Sequence, residues 1–262
     1  MRGHAIRLSP ARRVQNDFLY FANKAPILPV QRRMRLGALI EARKTCPHHP
    51  PWTVLFFKAY ALLAQQVPEL RRVHITLPWP HLYEYPASVG MIAVERETGR
   101  ALEVFVGRVK DPASRSLEEL AEIVRHFNGA PLREIKEFRR VLMLGRLPWP
   151  LRRLLMWVGL NIGRQRANFF GTFAVSVYSA LGADSLRPLA PCTVVLNYGV
   201  IAADGSVDVR LNYDHRVMDG ATVARALQSL ERILTQAMVA ELAAWNENAV
   251  PGLPRTAIPT VV

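Results

Sequence analysis

The sequence predicts an α/β sandwich built on a mixed sheet. Apolar runs of strand length recur along the chain, and amphipathic stretches with helix caps stand between some of them. The two kinds do not alternate strictly, as a doubly wound sheet would require. Half of the 262 residues are hydrophobic, enough for the core of one large domain or two small ones.

Each element has its own warrant. "LPVQRRMRLGALIEARK" reads as a strand and then a helix beginning near Leu36. "PWTVLFFKAYALLAQQVPELR" reads as a helix from about Thr53, with Pro51 before it and Pro68 near its end. "SVGMIAVE" and "ALEVFVGRV" are strands separated by the turn-like "RETGR". In "SLEELAEIVRHFN", Ser116 followed three residues later by Glu119 is a capping-box pattern opening an amphipathic helix. "GTFAVSVYSALG", "CTVVLNYGVI" and "SVDVRLNYD" give three more strands, and a long helix closes the chain. Residues 148–163, "PWPLRRLLMWVGLNIG", are apolar apart from an arginine pair and too short to span a bilayer. They read either as a buried helix or as an interfacial or substrate-covering one.

The formal net charge is +13, and of the 34 basic residues five are lysines, leaving 29 arginines. Such a balance suggests an anionic partner: nucleic acid, a phosphorylated cofactor or a membrane surface. The arginines are scattered in pairs, and no basic run interleaved with aromatics or glycine occurs, so no nucleic-acid partner is expected. Cys46 and Cys192 are the only cysteines, which excludes a disulfide framework and points to a reducing, cytoplasmic setting. "CPHH" offers Cys46, His48 and His49 but no second cluster at metal spacing, so it reads as a proline-flanked loop and no metal is expected. The opening "MRGHAIRLSPARR" has no apolar core and is not a secretory signal.

The stretch "YDHRVMDG", residues 213–220, sets ionisable groups at a strand-to-helix junction. Histidine suits proton transfer near neutral pH once it is held in one orientation. Asp214, Arg216 and Asp219 are the side chains able to orient His215, and Gly220 permits a tight reversal or a close backbone approach. The bland alternative is a salt-bridged turn carrying an incidental histidine.

"YDHRVMDG" is similar to the D-H-R-x-x-D-G signature of the 2-oxoacid dehydrogenase dihydrolipoyl acyltransferase catalytic domain, and chloramphenicol acetyltransferases carry a related H-x-x-x-D-G motif. Residues 171–201 resemble that family's strand, loop and strand before the histidine. "PWTVLFFKAYALLAQQVPELR" and "SLEELAEIVR" resemble its helices, and Arg12, Arg13 and "PILPVQRRMRLGALIEARK" its opening. The resemblance covers most of the chain. It implies a chloramphenicol acetyltransferase-like two-layer sandwich that forms trimers with active sites between subunits. It also implies an acyltransferase that uses coenzyme A as substrate, with no metal and no acyl-enzyme. His215 would be the general base and Ser176 the oxyanion donor, the two coming from different chains. Asp219 would hold the site together through an arginine, taken here as Arg12 or Arg13.

The sequence also departs from that family. The reading is one catalytic domain over residues 1–262, with an atypical apolar insertion near 138–166, no lipoyl or subunit-binding domain and no bound lipoyl group. The family's S-N-L-G is here Ser176-Val177-Tyr178-Ser179, and the C-terminus is polar and proline-bearing. Three functions follow: a free-standing acyltransferase for a thiol, hydroxyl or amine acceptor, a detached dihydrolipoyl acyltransferase core, or a non-catalytic trimeric scaffold. The expected partners are copies of the chain and a small-molecule or lipoyl acceptor. Contact with a membrane surface is left open by residues 148–163.

Overall fold

A computed structural model describes residues 3–99 and 101–247. Helix α1 (Pro10–Ala22) starts at Ser9, whose hydroxyl accepts from the Arg12 N–H, with Pro10 in the first turn. Strand β1 (Ile27–Arg35) and helix α2 (Gly37–Thr45) follow, and then α3 (Trp52–Gln66), apolar on nearly all sides. A short antiparallel hairpin, β2 (Arg72–Ile75) and β3 (His81–Glu84), stands apart from the main sheet. The long hairpin β4 (Val89–Thr98) and β5 (Ala101–Lys110) leads into α4 (Leu117–Gly129). Both halves of the Ser116–Glu119 capping box form at the start of α4.

Three helices fill residues 136–170: α5 (Lys136–Arg146), α6 (Trp149–Asn161) and α7 (Gly163–Phe170). The remaining strands are β6 (Phe173–Val175), β7 (Val194–Tyr198) and β8 (Ser206–Asp214). The closing helix is two, α8 (Gly220–Arg232) and α9 (Met238–Glu247), joined through a wider π turn at Ile233–Ala237.

The main sheet is six-stranded and mixed, in the order β1-β8-β7-β6-β4-β5. β6 pairs in parallel with both β4 and β7, and the other pairings are antiparallel. Helices α2, α3, α4, α8 and α9 pack with one another over one face, so the two-layer expectation holds. Alternation along the strands sends Val175, Leu196, Val209 and Leu211 into the core beneath these helices. Phe56 of α3 stacks on Tyr198 at 4.0 Å, and Phe57 and Tyr60 lie against Phe173. Gly90 permits this approach, because a Cβ there would stand 2.3 Å from the Phe57 ring.

Opposite residues face the other way, and the sheet changes character there. Met91, Ala174, Cys192 and Val195 form a small apolar cluster. Asn197, Arg210, Asn212 and Asp214 continue that surface as buried polar groups. Arg210 donates to Gln31 Oε1 at 2.6 Å and pairs with Asp184 at 3.3 Å. The burial pattern therefore gives the sheet one apolar face and one polar face, and the residues read from "YDHRVMDG" begin at the end of the polar one.

Candidate active site

The His215 loop is fixed by its backbone. β8 ends at Asp214, whose N–H donates to Thr193 O at 2.9 Å, and the His215 N–H donates to Pro26 O at 3.1 Å. Val217 and Met218 turn inward and are buried, which pulls the chain into α8. Between these anchors the His215 side chain stays 43% exposed, with its Nδ1 3.8 Å from Asp219 Oδ1. An imidazole held in this way keeps Nε2 free to exchange a proton with a bound molecule.

Asp214 and Arg216 form a chelate of their own. Arg216 Nε and Nη2 donate to the two Asp214 oxygens at 2.9 and 2.6 Å, and the Arg216 N–H adds a third bond at 3.1 Å. Asp214 is buried, so this charge-assisted fork shapes the loop backbone and acts on His215 only through it. Gly220 opens α8 and serves a close approach: a Cβ there would meet the Tyr213 hydroxyl at 3.3 Å.

Asp219 does not meet either arginine expected for it within one chain. It is the N-cap residue of α8 but makes no side-chain cap bond, and its side chain is 85% exposed. Arg12 Nη1 instead donates to Gln15 Oε1 at 2.8 Å, and Arg13 Nε to Leu8 O at 3.0 Å. The reason is position, since the start of α1, which carries both arginines, sits at the β5 edge of the sheet, where Ser9 bonds Glu103, and only the other end of the helix comes near the His215 loop.

Ser176 follows β6 and lies on the polar face. Its N–H donates to Leu196 O at 3.2 Å, and its carbonyl accepts from Asn197 Nδ2 at 2.8 Å. No hydrogen bond joins it to His215 among the described residues, and β7 lies between their strands. The resemblance implies that such a pair meets across subunits.

The comparisons bear on this geometry. No family model matches the sequence, and no curated protein sequence is similar to it. Solved structures do match. The dihydrolipoamide acetyltransferase of Azotobacter vinelandii superposes with a TM-score of 0.65 at 17% identity, over 92% of this chain and 94% of that one. A truncated catalytic core of the 2-oxoacid dehydrogenase complex from Thermoplasma acidophilum gives 0.62 at 18% identity, over 89% and 99%. A chloramphenicol acetyltransferase gives 0.50 at 15%, over 84% and 94%. The chain has the chloramphenicol acetyltransferase fold. At these identities the likeness establishes the acetyltransferase fold, and the expectation drawn from "YDHRVMDG" holds at that level.

Other candidate groups in this fold are engaged in packing. Cys46 is buried in the core, while Pro47, His48 and His49 are exposed and His48 stacks on Trp245 at 4.8 Å. Among the described residues no cluster of three or more His, Cys, Asp or Glu is placed to hold a metal, and no helix is long and apolar enough to cross a membrane.

The 148–163 segment is a helix with two faces. Met156, Gly159 and Leu160 are buried, whereas Trp149, Leu154, Leu155 and Trp157 are between 45% and 56% exposed on the single chain. Trp157 also lines a cavity beside the Asp214–Arg216 chelate, which fits a covering helix better than a core helix.

His74, on β2, borders the same cavity. Burial and the Arg216 guanidinium hold its imidazole below the usual range; Arg166 and His81 push the same way, and Asp214 opposes them. The native chain therefore resists protonating His74, while the unfolded chain protonates it near its ordinary pKa of about 6.5. Stability from this group is complete above that pH and falls as pH drops toward the lowered native value. His74→Gln should flatten this part of the acid limb in melting temperature between pH 7.5 and 5. An unchanged slope would show that His74 is not the group responsible.

Proposed function

We propose that the chain is a free-standing acyltransferase that moves an acyl group between coenzyme A and an acceptor thiol, hydroxyl or amine. The observation that carries this is the half-exposed His215 on a backbone-anchored loop, at the strand-to-helix junction of an acetyltransferase fold. A serine, a histidine and an asparagine have been investigated in the catalytic mechanism of the Azotobacter enzyme, the last two four residues apart. Ser176, His215 and Asp219 are the residues proposed for those roles here, with Asp219 also four positions after the histidine.

In this reading His215 Nε2 takes the proton from the acceptor as the acceptor atom attacks the thioester carbonyl carbon. The Ser176 hydroxyl donates to the oxyanion, a contact worth about 3–4 kcal/mol of barrier in comparable sites. The C–S bond then breaks, and the coenzyme A thiolate recovers the proton from the imidazolium. The Asp219 carboxylate lies 3.8 Å from Nδ1 and leaves Nε2 to the acceptor. The working unit is a homotrimer, with Ser176 and His215 supplied by different subunits. Arg12 or Arg13 is retained as the candidate partner of Asp219 only across that interface.

A second reading, a detached dihydrolipoyl acyltransferase core, is favoured by the closer superposition on the dehydrogenase cores than on chloramphenicol acetyltransferase. Release of free coenzyme A thiol from acetyl-coenzyme A separates the readings. Turnover with small hydroxyl or amine acceptors and little with dihydrolipoamide supports the free-standing enzyme, and the reverse supports the core. No release with any acceptor would leave a trimeric scaffold.

A further inference from the structure

A cavity of about 210 Å³ lies between the end of α1, the β2–β3 turn, α6 and the Asp214–Arg216 chelate. Arg166 of α7 lines it and is only 9% exposed. Its Nη1 donates to His74 O at 2.6 Å and to Leu160 O at 3.4 Å, and its Nη2 to Pro191 O at 3.3 Å. Its Nε is buried and makes no hydrogen bond among the described residues, and the same holds for His74 Nδ1. Carbonyl dipoles therefore surround a buried guanidinium that has no carboxylate within ion-pair reach among those residues. The one acid on the cavity wall, Asp214, already spends both oxygens on Arg216.

A buried charge without a counter-ion is costly, and Lys24 on the same wall adds to the positive potential. Leu77, Trp157 and Leu160 give the cavity an apolar side. We propose that this cavity binds a small organic carboxylate, with its oxygens on Arg166 and its tail against Leu77, Trp157 and Leu160. A monoanion suits the site better than a phosphate, because two Arg166 N–H groups remain, one on Nε and one on Nη2, and they match the two oxygens of a carboxylate. His74 Nδ1 supplies a further polar partner at the same end.

The test reads binding without turnover, so it stands or falls apart from the acyl-transfer reading. Sodium butanoate is titrated calorimetrically into the whole protein at fixed ionic strength, with butan-1-ol and inorganic phosphate as comparison probes. The expected result is saturable binding of butanoate, at least about tenfold weaker in Arg166→Met because a charge-assisted contact is lost. Ala25→Phe, which fills the cavity from the end of α1 and adjoins none of the carbonyl partners of Arg166, should weaken it as much. That variant decides the matter if Arg166→Met does not fold. Absence of saturable butanoate binding would overturn the proposal, as would equal binding of butan-1-ol, tighter binding of phosphate, or wild-type affinity in either folded variant.

Discussion

Replacing His215 with alanine is expected to give a folded protein whose acyl-transfer turnover falls by at least about a hundredfold, the low end for losing a general base. The fold should survive because the loop is held by other groups. The His215 N–H bonds to Pro26 O, Val217 and Met218 fill the core, and Asp214 and Arg216 bind each other. The side chain removed is 43% exposed and contributes little packing. Thiol release from acetyl-coenzyme A measures the rate, and a melt of the same preparation shows that the loss is chemical. Turnover within a few-fold of wild type in a normally folded variant would rule out His215 as the base. A comparable loss accompanied by a large fall in melting temperature would point to the bland alternative, a structural turn with an incidental histidine.

The legibility of the molecule follows the range of the interactions involved. Ser116 and Glu119 announce α4 because a capping box is complete within four residues. The strands of the main sheet are legible from their apolar runs, and the strand-to-helix junction that carries His215 from a motif contiguous in sequence. What escaped is what depends on distant partners. The first helix was not read, although Ser9 and Pro10 are standard start signals, because its buried face needs α5 to become meaningful. The β2–β3 hairpin was hidden by prolines at its apex, and the closing helix gave no sign of the π turn at Ile233. "GTFAVSVYSALG" supplies only three strand residues, so Ser176 lies just beyond the strand rather than in it. The polar face had one available signal: Asn197 and Asn212 interrupt otherwise apolar strands, and each is fully buried. The resemblance gives Asp219 an arginine, whereas among the described residues the ionisable side chain within 4 Å of it is the histidine four residues before it.

The strongest long-range link ties α6 to the start of the chain, and it predicts the largest loss of stability. Asp17 of α1 is buried and receives Arg152 Nε on one oxygen and Arg153 Nε on the other, the latter at 2.9 Å. Arg152 is itself buried, while Arg153 is partly exposed and lies over the Tyr20 ring at 3.9 Å. The arginine pair that looked out of place in an apolar helix thus orients α6: one side is clamped to α1 and the apolar side is left outward. Asp17→Asn removes the charge shared by both guanidiniums and strands Arg152 in the interior. Breaking a buried pair from one side costs about 3–5 kcal/mol, which corresponds to a fall in melting temperature on the order of ten degrees for a chain of this size. Arg153→Ala should cost much less, because its side chain is partly solvated and its pair is correspondingly weaker. Replacing both buried partners, Asp17→Leu with Arg152→Met, should recover most of the loss, since no unpaired charge then remains. Thermal melts of the single and double variants measure the coupling. Hydrogen exchange across residues 149–161 would show whether α6 opens first, as expected for a helix held at this clamp more than by the main core. An Asp17→Asn protein that melts within a degree or two of wild type would mean that α6 is held by packing with α7 and the cluster around Met156, and that its arginines are incidental.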